Sequence, residues 1–126
     1  MDIKKLRRAV EVLKEDLGSA LIAGEIFSAH DGQGVMCLVG SESRPVANAL
    51  MNKITAMIIN SLKEAGFPGI GRFWQVEMND GRLSTNIPMG DIVWGMLVDT
   101  TKVQVGLLNN VVIPKIIQLA KEAEKG

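Results

Sequence analysis

Residues 44–66 read RPVANALMNKITAMIINSLKEAG, the longest helical pattern in the chain. Ser43 stands where an N-cap belongs, Pro45 suits the first turn, and Gly66 closes the stretch ahead of Pro68, Gly69 and Gly71. At about 100° per residue the stretch divides into two faces. One is apolar: Ala47, Leu50, Met51, Ile54, Met57, Ile58, Leu62 and Ala65. The other holds Asn48, Ala49, Asn52, Thr55, Ala56, Ile59 and Lys63. A surface helix normally turns a charged face to water. This second face is small, amide-rich and nearly uncharged, so the helix is expected to lay its apolar face on a sheet and its bland face on another protein.

On either side of this helix the chain reads as strands. Residues 20–29 and 34–40 are two apolar runs joined by His30-Asp31-Gly32-Gln33, a hairpin signal because glycine accepts the positive φ of the turn. Val35 to Val39 is uninterrupted apolar and predicts a strand covered on both faces. Residues 72–79 alternate, with Trp74, Val76 and Met78 on one side and Phe73, Gln75, Glu77 and Asn79 on the other. Asp80-Gly81 turns the chain into 82–89, with Pro88 near that strand's end. Residues 91–99 are apolar on both faces and read as a central strand, with Gly95 marking a close approach. Two further helices complete the order. Residues 3–17 carry a seam of Ile3, Leu6, Val10, Leu13 and Leu17, with Gly18 as C-cap. Residues 103–124 bury Val105, Leu108, Val112, Ile116, Leu119 and Ala123 after a cap at Thr100 or Thr101, and Pro114 kinks or breaks them. The fold class is therefore α/β (α+β): a hairpin and a three-stranded meander joined in one five-stranded antiparallel sheet, helices on both faces, in a single domain over 1–126.

Bulk composition narrows the function. The chain has 126 residues, is 47% hydrophobic and 22% charged, and balances 14 basic against 14 acidic side chains. It can bury a core, and its zero net charge argues against nucleic acid or an anionic membrane as the main partner. There is one cysteine, Cys37, so no internal disulfide forms, which fits a reducing compartment. The N-terminus has no apolar signal segment and no run is long enough to span a membrane. A cytoplasmic protein is expected.

No reactive cluster is apparent. Ser28-Ala29-His30-Asp31 is a local run at a hairpin turn. The glycines at 66–71 lack the Lys and Ser/Thr of a phosphate loop, and the Gly32–Gly34 pair lacks a third glycine and a following helix. The carboxylates Asp31, Glu42, Glu77, Asp80, Asp91 and Asp99 sit mostly at turns, and Cys37 lies in an apolar strand. The expectation is a non-enzyme with no cofactor and no metal. Trp74 and Trp94 are core residues or, for Trp74 on an edge, an interface.

Several local patterns resemble the Roadblock / dynein light-chain family, of the bacterial or archaeal type associated with small GTPases. The carriers are the G-x-x-x-A-x-DG-x-G hairpin from Gly24 to Gly34, the Ala- and Met-rich helix from Ala47 to Leu62, Gln75-Val76-Glu77, Pro-Met-Gly-Asp at 88–91, and Val-Gly-Leu-Leu at 105–108. Pro114 departs from the smooth last helix of that family. The resemblance implies a profilin-like domain without an active site that forms a homodimer and binds, regulates or scaffolds a Ras-like small GTPase. It implies pairing of strand 72–79 with its copy and of the 44–66 helices side by side. The expected interface is thus Asn48, Ala49, Asn52, Thr55, Ala56, Ile59 and Lys63 with Phe73, Trp74, Gln75, Val76 and Glu77. A light-chain scaffold within a multiprotein assembly is the alternative, and a small-ligand sensor a third reading.

Overall fold

The computed structural model describes residues 1–126. The chain divides into two compact units, Met1–Leu21 with Asp99–Gly126, and Ile22–Val98.

The first unit is helical. Helix α1 spans Ile3–Leu17 and buries Leu6, Ala9, Val10, Leu13 and Leu17. Asp2 caps it, accepting from the backbone N–H groups of Lys4 and Lys5, so the anion missing from the first turn is supplied one residue earlier. Ile3, expected in the seam, is half exposed. Gly18 takes a positive φ of 53° and donates to the Lys14 carbonyl, ending the helix. A 3-10 turn over Gly18–Ala20 leads to strand β1 (Leu21–Ser28).

The second unit is built on a sheet. Strands β1, β2 (Gly34–Cys37), β3 (Trp74–Glu77), β4 (Arg82–Met89) and β5 (Ile92–Asp99) form one five-stranded antiparallel sheet in the order β2-β1-β5-β4-β3. Hairpin and meander join through β1 and β5, so β5 is central, as its apolar run predicts. Helix α2 spans Pro45–Glu64 between β2 and β3. The hairpin turn after β1 is closed by the Ser28 N–H on the Gln33 carbonyl, with Gly32 at φ 76°.

β2 departs from its expected place. Its apolar run predicts cover on both faces, but the strand is an edge of only four residues, and Val35 is 43% exposed. Apolar density alone does not separate an edge strand from a central one. β3 is the opposite edge, as expected, and is shorter than 72–79.

The last helical stretch also differs. Helix α3 is a single turn, Val105–Leu107, whose N-cap is Gln104, not Thr100 or Thr101. Thr101 instead closes a local turn on the Asp99 carboxylate. A π turn over Leu108–Val112 follows, then helix α4 over Ile113–Glu124. Pro114 has no N–H to offer the carbonyl one turn back. The backbone widens there, and the Ile113 N–H reaches the Leu108 carbonyl five residues back. Leu108, Val112, Ile116 and Ala123 are buried as expected. Ile113, Ile116, Ala120 and Ala123 face inward, while Leu119 is half-buried and Val105 exposed. α4 lies along α1, tied by the Asp2 N–H on the Ala123 carbonyl and by Lys115 Nζ on Asp16 Oδ2, each at 2.8 and 2.7 Å.

Candidate protein-interaction surface

The orientation of α2 decides what the molecule can present. The side of α2 turned inward keeps only part of the apolar stripe read from its periodicity: Met51, Ile54, Ile58 and Leu62 are half-buried, whereas Leu50 and Met57 are exposed. Asn48 and Thr55 are only 4% and 3% exposed, with Met51, Ile58 and Leu62 filling the same line less completely. The sheet face below is polar enough to require this. Glu25 on β1 accepts at Oε1 from the Asn48 Nδ2 (2.9 Å) and the Arg44 backbone N–H (3.0 Å). Its Oε2 accepts from the Ser43 hydroxyl at 2.7 Å. Farther along, Trp74 Nε1 donates to Thr55 Oγ1 at 3.0 Å, and Thr55 in turn donates to the Met51 carbonyl.

The predicted interface therefore needs correcting at three positions. Asn48, Thr55 and Trp74 hold α2 to its own sheet and have almost no surface left for a partner. Ser43 is not the N-cap either. Arg44 occupies that position without a side-chain bond, and Ser43 spends its hydroxyl on Glu25. The carboxylate of Glu25, borrowed from a neighbouring strand, does the work of a cap: an anion at the positive end of the helix, on a free N–H. Burial by itself would raise the Glu25 carboxyl. The Arg44 N–H, the Asn48 amide and the Ser43 hydroxyl outweigh it and hold the group below its ordinary value of 4.5.

The glycines of the hairpin motif answer to this knot. A side chain at Gly34 would fall on the Glu25 carboxylate and within 2.8 Å of Ser43 Oγ. One at Gly24 would come 2.7 Å from the Gly95 carbonyl oxygen. Glu25 is not among the residues singled out from the sequence; its cue there is a lone charge inside an apolar strand, beside Gly24.

With Asn48 and Thr55 turned in, the outward side of α2 carries Val46, Leu50 and Met57, which are 85%, 51% and 57% exposed. Ala49 and Ala56 are exposed on the same side, with Ile59, Lys63 and the half-buried Asn52 along one flank. Val46, Leu50, Lys53 and Met57 recur at 4-3-4 spacing, and two alanines seven apart leave room for a close neighbour. Apolar side chains were thus on the outside where amides were expected. On the β3 edge, Val76 and Glu77 are exposed and Phe73 and Gln75 partly so, with Gln75 Nε2 donating to Thr85 Oγ1. Trp74 resolves to the core.

Other sequence candidates are not drawn together. His30 Nε2 meets Asp91 Oδ1 at 3.1 Å across two exposed turns, while the Ser28 hydroxyl accepts from the His30 backbone N–H. The Cys37 thiol is pushed up by burial and further by the Glu25 charge, which lowers its reactivity. No group of three or more His, Cys, Asp or Glu side chains could hold a metal ion. No helix is long and apolar enough to cross a membrane.

No protein-family model matches the chain, and no curated protein matches it in sequence. Solved structures do match. Myxococcus xanthus MglB superposes with a TM-score of 0.79 at 15% identity, over 100% of both chains. The Roadblock/LC7 domain from Streptomyces avermitilis gives 0.68 at 15% identity, over 90% of this chain and 92% of its own. Acanthamoeba castellanii profilin II gives 0.53 at 14% identity, over 82% and 88%. The fold is the profilin-like α+β fold that these proteins share, which agrees with the resemblance read from the sequence.

Proposed function

We propose that residues 1–126 form one Roadblock-like domain, a non-catalytic homodimeric module that binds and regulates or scaffolds a Ras-like small GTPase in the cytoplasm. The observation that carries this reading is the exposed apolar stripe of Val46, Leu50 and Met57 on a helix with alanines at 49 and 56. Exposed stripes of this kind mark protein interfaces. A second copy of α2 fits it, because Ala49 and Ala56 let two helix backbones approach, and Asn52, Ile59 and Lys63 flank the contact. β3, an edge of the sheet with Val76 and Glu77 exposed, gives a second place for a copy to pair. The GTPase enters through the fold and the family likeness. The module would act by repositioning the GTPase's own groups, since no reactive cluster stands on the proposed face.

Light scattering tests the dimer. Wild type should run as a dimer at micromolar concentration, and Ala56→Arg, which sets a charge into the close contact, should run as a monomer. A wild-type monomer overturns the reading. The partner is tested by mixing the protein with nucleotide-loaded small GTPases of its own genome. A complex or altered hydrolysis supports the proposal; neither effect counts against it, and recovery of only large non-GTPase assemblies would favour a light-chain scaffold.

A further inference from the structure

A hollow of about 210 Å³, half open to solvent, lies beside the start of α2 within the unit Ile22–Val98. Small residues leave the space: Ala23 on β1, Gly95 on β5 and Ala47 on α2. Its lining divides by chemistry. Met51 on α2, Met78 after β3 and Leu97 on β5 are apolar and half-buried. The chain just ahead of α2 brings two charges to the same hollow, Glu42 and Arg44, both exposed. Their side chains form no ion pair, with each other or with any other group. Glu25 and Asn48 line the hollow too, but they are engaged already. The Glu25 carboxylate accepts from the Ser43 hydroxyl, the Arg44 backbone N–H and the Asn48 amide.

We propose that this hollow binds a free apolar α-amino acid of leucine or methionine size, with its carboxylate on the Arg44 guanidinium, its ammonium on the Glu42 carboxylate and its side chain over Met51, Met78 and Leu97. The charges select the zwitterion. A simple carboxylate would meet Arg44 but also the negative charges of Glu25 and Glu42, and like charges repel. A simple amine would answer Glu42 and leave a second cation, Arg44, beside it. A zwitterion adds no net charge and answers both groups from one carbon atom. The walls select the side chain. Moving it out of water onto apolar groups favours binding, and the flexible thioethers of Met51 and Met78 adapt to its shape. The size agrees as well. A cavity of about 150 Å³ holds benzene, so the space here takes a branched aliphatic side chain and leaves the mouth for the charged end. Every group involved belongs to one protomer, so the site does not depend on the dimer.

The test is a titration of isotope-labelled protein with L-leucine, followed by backbone amide shifts. Saturable shifts at Ala23, Gly24, Ala47 and Leu97 are expected, with a dissociation constant on the order of a millimolar, because both ion pairs stand at an open mouth. Related probes take the guest apart: 4-methylpentanoate lacks the ammonium, 3-methylbutylamine lacks the carboxylate, and glycine lacks the apolar body. The first two should bind about fivefold more weakly than leucine, and glycine about tenfold or more. Arg44→Gln should weaken leucine about fivefold without weakening 3-methylbutylamine, and Glu42→Gln should weaken leucine about fivefold without weakening 4-methylpentanoate. Both side chains are exposed and unpaired, so neither change should shift the unfolding midpoint. The proposal is overturned if leucine gives no saturable shifts at these amides, if any of the related probes binds as tightly as leucine, or if either variant binds leucine undiminished.

Discussion

Replacing Glu25 tests how α2 is fixed to its sheet. Glu25→Ala leaves the Arg44 N–H and the buried Asn48 Nδ2 without their acceptor. Each lost partner of this kind costs about 1–3 kcal/mol. Loss of the anion at the helix start adds about 0.3–1 kcal/mol. The expected destabilisation is about 3–5 kcal/mol at neutral pH, a large share of a small domain's total. Glu25→Gln keeps one acceptor oxygen and loses the charge, so it should cost less, about 1–2 kcal/mol. The pH dependence follows in sign. The folded carboxyl sits below its ordinary value of 4.5. Its stabilisation is therefore complete above that value and fades as pH falls through the lower folded value. Urea unfolding at pH 7 and down a series of acidic buffers reads both effects. The advantage of wild type over Glu25→Gln should be full at pH 7 and shrink in acid, as the protonated acid comes to resemble the amide. Equal midpoints at pH 7, or a difference that persists unchanged in acid, would refute the account.

Two other substitutions separate the remaining contacts. Thr55→Val keeps the branched shape but removes the acceptor of Trp74 Nε1, and should lower stability by about 1–2 kcal/mol with the urea slope unchanged; an unaltered midpoint would mean the bond contributes nothing. Gly34→Ala should cost about 1–3 kcal/mol by driving a methyl onto Glu25. Gly69→Ala, where a methyl meets open space, is the control and should leave the unfolding midpoint nearly unchanged, so similar losses at both positions would deny the steric reason.

The hairpin, the meander and the central place of β5 were legible because period-2 runs, Asp-Gly turns and a doubly apolar strand are local signals. α1 was legible over its full length for the same reason. What was not legible depended on what lies opposite. The inward line of α2 holds Asn48 and Thr55 because the sheet face beneath offers Glu25 and the Trp74 N–H, and periodicity of apolar residues cannot register a polar match. Leu50 and Met57 were assigned inward for the same reason. β2 looked central because its run is apolar, although it forms an edge. In the last helical stretch Leu108, Val112, Ile116 and Ala123 are buried as read, while Ile113 and Ala120 were missed because a wheel of constant pitch has no place for the extra residue of a π turn. At the candidate surface, Ala49 and Ala56 were found from the sequence, whereas the apolar stripe beside them emerged only once α2 was oriented.

The seam between β1 and β5 bears on how the chain reaches its native state. The β1–β2 hairpin and the β3–β4 pair each form from neighbouring residues. β1 and β5 are adjacent in the sheet, yet β2, α2, β3 and β4 all lie between them in sequence. Closing that seam spans a long loop, which is entropically unfavourable and yields contacts only after the ends have met. Until then both hairpins keep an open edge, and α2 lacks the complete floor on which Asn48 and Thr55 make their bonds. The joining of β1 to β5 is thus the event that turns two local hairpins into a cooperative sheet.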